Sequence, residues 1–181
     1  MDEIISELQT ISAEAKKTFG NLSAEQLNWK PSVEKWSVGQ CFDHLIKINS
    51  EYYPDLDRII KGEYQQKFWQ NYSPFSGFFG NLLFKSLSPQ TTRKLKAPKK
   101  AKPSASDIPS TIIEDFTRHQ TELTDKIKQT ENLDTKKIIL TSPFAKIVTY
   151  SVHDAYRIIV IHEKRHFQQA ERVLQSEGFP G

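Results

Sequence analysis

The sequence predicts an all-α protein: a four-helix bundle with long connections and short extra helices between the second and third long helices, in one domain over 1–181. Three observations predict it. Four stretches carry apolar residues at i, i+3, i+4 and i+7, the helical period. Ser37 with Gln40 and Thr111 with Glu114 match the capping-box spacing ahead of two of them, and Gly20, Gly62 and Gly178 follow three of the ends. Four amphipathic helices bury their stripes against one another most simply as a bundle.

The first helix is expected over Asp2 to Phe19, with Ile4, Ile5, Leu8, Ile11, Ala15 and Phe19 on one face. A connector follows from Leu22 to Trp36, broken by Pro31, in which Trp29 and Trp36 are the apolar anchors. The second helix opens at Ser37 and runs from Val38 to about Lys61, with a stripe of Cys41, Leu45, Ile48, Tyr52, Leu56 and Ile59. Pro54 should kink or divide it, because proline removes a helix donor and its ring meets the preceding turn. Residues 63–90 hold eight of the chain's aromatics, and two short helices, 64–72 and 78–86, are expected there. These rings would wall a ligand pocket, fill a homodimer seam or cover the bundle end.

Arg93 to Lys102 carries six Lys or Arg in ten residues and reads as a solvated loop. It lacks the interleaved aromatics of a nucleic-acid surface, so no specific nucleic-acid partner is expected. The third long helix is expected from Thr111 to Glu131, with Ile112, Phe116, Gln120, Leu123 and Ile127 inward and His119 on the flank or surface. A connector from Asn132 to Pro143 includes an extended piece at Lys137 to Leu140. The last helix should start after Ser151, with Asp154 at its third position, and run to Ser176.

A net charge of +3 does not demand a polyanionic partner, and one cysteine excludes an internal disulfide framework. The start of the chain shows neither a basic nor an apolar leader region, and no run approaches the ~20 apolar residues of a membrane span. A cytoplasmic protein without a membrane partner is the expectation.

Chemistry concentrates in Ile161-His162-Glu163-Lys164-Arg165-His166-Phe167. His162 and His166 lie one helical turn apart on one face, within reach of one metal ion. They share the seam of Ala155, Ile158, Ile159, Gln169, Ala170 and Val173, so both should point inward. Two in-register imidazoles are costly to bury without a common partner. The run matches the H-E-x-x-H signature of zinc peptidases, but Phe-Gln-Gln-Ala-Glu-Arg follows in place of the further ligands such enzymes carry. His44 flanks the inward face of the second helix and is the expected third ligand; His153 is out of phase and should face away.

The run from Trp36 through Ser37-Val38-Gly39-Gln40-Cys41-Phe42-Asp43 to His44, taken with His162 to Gln169, resembles the DinB-like superfamily of four-helix-bundle metalloenzymes. That superfamily includes YfiT-type proteins and thiol S-transferases, and the likeness covers nearly the whole chain. The resemblance places metal ligands on His44, His162 and His166, and implies one divalent transition metal, zinc or nickel ahead of manganese or iron. It implies transfer of a low-molecular-weight thiol (bacillithiol, mycothiol or glutathione) onto an electrophilic small-molecule substrate. The alternatives are a metal-dependent hydrolase and a non-catalytic protein stapled by its metal, with Cys41 as fourth ligand. Glu163 is the candidate general base, against the competing reading of a solvent-facing helix residue.

Overall fold

The computed structural model describes residues 1–66, 103–104 and 107–181. The elements are α1 (Asp2–Phe19), α2 (Ala24–Asn28), α3 (Val38–Ser50), α4 (Tyr53–Ile60), α5 (Ile112–Gln129), β1 (Ile139–Thr141), β2 (Thr149–Ser151) and α6 (Val152–Leu174). Among the described residues the fold is all-α apart from that one small hairpin. α1 and α3 each pack on both α5 and α6, which closes the four long helices into a bundle.

α1 has the expected bounds, and its buried residues are Ile4, Leu8, Ile11, Ala15 and Phe19. α3 opens on the capping box: the Gln40 amide N–H donates to Ser37 Oγ at 3.1 Å, and the Ser37 N–H donates to Gln40 Oε1 at 3.2 Å. The long second helix is divided, α3 ending at Ser50 and α4 starting at Tyr53 with Pro54 in its first turn, where no helical donor is lost. Gly62 closes α4 at φ 71°, a left-handed conformation that disfavours a Cβ.

Three local features differ from expectation. The connector holds a helix of its own, α2, with a capping box between Ser23 and Gln26. Thr111 does not cap α5 through its side chain, because its backbone is already helical; its hydroxyl donates to Asp115 instead. The extended piece is one strand of an antiparallel hairpin whose partner, Thr149–Ser151, leads straight into α6. The short helices expected at 64–72 and 78–86, apart from 64–66, and the basic run 93–102 lie outside the described residues.

The core divides into two apolar clusters, one at each end of the bundle. One contains Leu8, Leu56, Leu123, Ile127, Tyr150, Tyr156 and Ile159. The other contains Phe19, Val38, Phe42, Leu45, Phe116, Ala170 and Val173, with Phe42 meeting Phe19 and Phe116 edge to face at 5.2 and 5.0 Å. Between them, buried polar residues interrupt three helices: His44 and Asn49 on α3, His119 and Gln120 on α5, and His162, Glu163 and His166 on α6. This polar waist positions the site.

Candidate metal centre

His44 stands in the second turn of α3, where the Ser37 cap fixes the start of the helix; His162 and His166 lie one turn apart on α6. The three imidazoles converge in the α3–α6 seam, all buried, with ligand-type atoms within 4.8 Å of one another. Ring centroids are 5.1 Å apart for His44–His162, 4.5 Å for His44–His166 and 4.6 Å for His162–His166. Trp36 closes the cluster from the connector, stacked on His166 at 15° and tilted onto His44 at 4.8 Å.

The arrangement fits a metal ion on two counts. His44 Nε2 and His162 Nε2 are 3.4 Å apart, long for a hydrogen bond. Two nitrogens bound at about 2.0–2.1 Å to one tetrahedral ion stand roughly 3.3–3.4 Å apart, so the spacing suits a shared ion better. In addition, the rings are held in the neutral form that a metal needs, although Nδ1 of His162, the nitrogen other than the one 3.4 Å from His44, is buried without a hydrogen-bond partner, as is Nδ1 of His166. Burial, then the neighbouring His44 imidazole and Arg165, pushes His162 down to about 3. His166 is held well below the ordinary value by burial foremost, then by His162 and His44. At neutral pH both rings are therefore uncharged and keep a lone pair to donate.

Glu163 is not the solvent-facing residue its chemical type suggests. It is fully buried, and it is the one acidic side chain buried among the described residues. Its Oε1 accepts from Asn49 Nδ2 on α3 at 2.7 Å, and its Oε2 accepts from Gln120 Nε2 on α5 at 2.8 Å. Burial raises its pKa to about 8, with the two amides opposing the rise. Both oxygens are thus engaged in the bundle interior, unlike the free base of an H-E-x-x-H peptidase.

His119 is also buried rather than on the surface: its ring stacks on Tyr53 at 12°, and its Nδ1 lies 3.0 Å from the Tyr53 hydroxyl. Cys41 belongs to the apolar cluster with Phe42, and burial pushes its thiol up to about 12. Among the described residues the metal-ligating group contains the three histidines and no cysteine. His153 turns toward a groove against α1, beside Glu3 and Glu7, away from the cluster.

Asn49 carried no signal in the sequence that pointed to a site. Its only trace is helical phase, since it falls four residues after Leu45 and three before Tyr52.

Comparison with known proteins agrees with the geometry. The family model described as the DinB superfamily matches residues 7–170. The chain is 27% identical over 157 residues to the uncharacterized protein YuaE of Bacillus subtilis (strain 168), covering 85% of this chain and 86% of that one. No solved structure matches significantly.

Proposed function

The chain belongs to the DinB superfamily, and from that premise we propose that it is a metal-dependent enzyme whose ion is held by His44, His162 and His166. The observation that carries the proposal is the convergence of three buried imidazoles from two helices, without a fourth ligand among the described residues. Three neutral donors leave a divalent ion its full charge and open positions, with which it lowers the pKa of a bound thiol or water. Zinc or nickel suits this donor set, with manganese or iron as further candidates.

The reaction we propose is transfer of a low-molecular-weight thiol to an electrophilic small molecule. The thiol sulfur forms a bond to an electrophilic carbon, and the leaving group departs with the bonding pair; the thiol proton passes to solvent. The chain's own part is to hold the site dry and fixed. Trp36 covers His44 and His166 with an aromatic plane, and the apolar clusters on either side exclude water from the imidazoles. We place the protein in the cytoplasm, with a small-molecule substrate and a homodimeric assembly.

The test uses full-length protein reconstituted with zinc, nickel or manganese. Bacillithiol, mycothiol and glutathione are each offered with a chromogenic halo-aromatic acceptor. Turnover should need both metal and thiol, and should vanish in His166→Ala while circular dichroism shows an intact fold. His44→Ala, His162→Ala and His166→Ala should each lose the bound ion by elemental analysis, whereas His153→Ala should keep it. Metal-dependent turnover of esters or amides, with none of the thiols active, would replace the transferase by a hydrolase. Full metal content in His162→Ala or His166→Ala would refute the ligand assignment.

A further inference from the structure

We propose that the bridge Asn49–Glu163–Gln120 is a positioning key that sets the rotation of α6 and thereby holds His162 and His166 against His44. It rests on the metal role assigned to those histidines. The bridge joins every long helix of the bundle. Glu163 on α6 receives Asn49 from α3 and Gln120 from α5, and the Gln120 amide also donates to the Leu8 carbonyl of α1 at 3.3 Å.

The need for such a key follows from the waist. On the inward line of α6, Ile159 belongs to one apolar cluster and Ala170 to the other. The residues between them on that line are Glu163 and His166. Over those 11 residues, about 16 Å of helix, the inward line itself holds no aliphatic side chain, and Val160 and Phe167 grip the two clusters only from its flanks. Rotation of roughly 20° would carry an imidazole nitrogen about 6 Å from the helix axis through some 2 Å. Metal–ligand bonds tolerate only about 0.2 Å. Glu163 directly follows His162 and lies three residues before His166, so fixing its azimuth fixes both rings.

Stability gives no comparable reason for the bridge. A buried carboxyl group among three helices is costly to desolvate, and apolar residues of similar size commonly match or exceed the stability of such a group. What apolar residues cannot supply is direction. Two amide donors at 2.7 and 2.8 Å specify one orientation of the carboxyl group and hence of the helix.

The experiment compares the wild type with the triple variant Asn49→Leu, Gln120→Leu, Glu163→Leu, and with Asn49→Ala and Glu163→Gln alone. Cobalt(II) is the probe, because its visible absorption reports ligand geometry; affinity is read by competition with a chelator. The triple variant should fold with an unchanged or raised Tm, yet bind cobalt about 10- to 100-fold more weakly with a shifted absorption band. Asn49→Ala, which removes one arm, should weaken binding less, and it carries the test if the triple variant does not fold. Glu163→Gln keeps the chain length and one acceptor oxygen, and should restore part of the loss. Wild-type affinity and spectrum in folded triple variant or in Asn49→Ala would overturn the key alone. Failure of the wild type to bind cobalt would overturn the metal reading, and the key with it.

Discussion

His119 offers a sharp test of how the waist is built, because it lies outside the proposed ligand set and is nonetheless buried. Its ring stacks on Tyr53, its Nδ1 meets the Tyr53 hydroxyl, and its Nε2 has no hydrogen-bond partner. Lys126 lies over the same tyrosine ring, whose own pKa is raised by burial and then by Glu122, Glu163 and Asp57. Burial lowers His119 from 6.5 to about 4. A folded pKa below the unfolded one means that the unfolded chain binds the proton first. Stability should therefore be complete above the unfolded value and fall as pH drops through the window from about 6.5 to about 4. At about pH 5 the chain lies some 1.5 units below the unfolded value, which at about 1.4 kcal/mol per unit gives a loss of about 2 kcal/mol. His119→Phe keeps the stacking and removes the titration. Urea denaturation with chelator present, near pH 7 and near pH 5, should show the wild type losing about 2 kcal/mol more than His119→Phe. In the variant the Tyr53 hydroxyl keeps only the backbone carbonyl of residue 119, at 3.4 Å, and that change shifts both of its values alike and cancels. Equal pH dependence in the two proteins, within about 0.5 kcal/mol, would show that the ring is not buried uncharged.

Other perturbations reach the remaining parts of the fold. A methyl group on Gly39 would stand 2.9 Å from Ile108 Cγ2 and 3.0 Å from the Leu27 carbonyl, so Gly39→Ala should cost about 1–3 kcal/mol in urea denaturation. Cys41, its thiol raised to about 12 and fully buried, should react with a disulfide reagent only as the protein unfolds; labelling at the rate of an unstructured peptide would contradict its place in the core. Any affinity of the run Arg93 to Lys102 for nucleic acid should collapse between low and physiological salt, and sequence-selective binding at physiological salt would contradict the sequence reading.

Periodicity made the bundle legible. The α1 stripe and the cap at Ser37 stand where the pattern put them, because apolar phase and capping chemistry are properties of adjacent residues. Pro54 divided the second helix for the same local reason. α2 was hidden because five residues are too few to establish a period. Strand β2 was hidden because three residues, Thr149 to Ser151, gain their meaning from pairing with β1 across the hairpin.

The three histidines were legible because two of them share a phase and the third sits beside an apolar stripe. The rest of the waist was not, and the reason is specific. Glu163 falls four residues after Ile159 and three before His166; Asn49 falls four after Leu45 and three before Tyr52; His119 falls three after Phe116 and four before Leu123. All three were in phase with the core, yet His119 was read as flank or surface because it stands one residue off the Gln120 line, and Glu163 was read outward by chemical type, since a lone buried polar group costs roughly 1–3 kcal/mol. That cost applies to a group without a partner. Gln120, already on the inward stripe, was a fourth such residue on a facing helix. The relevant comparison was therefore between three separate penalties and one shared network, with His119 held apart from it on Tyr53. Glu163 accepts from Asn49 and Gln120 across three helices, while Asn49 Oδ1 and Gln120 Oε1 stay buried without a partner, and no single helix contains the information that the three residues meet.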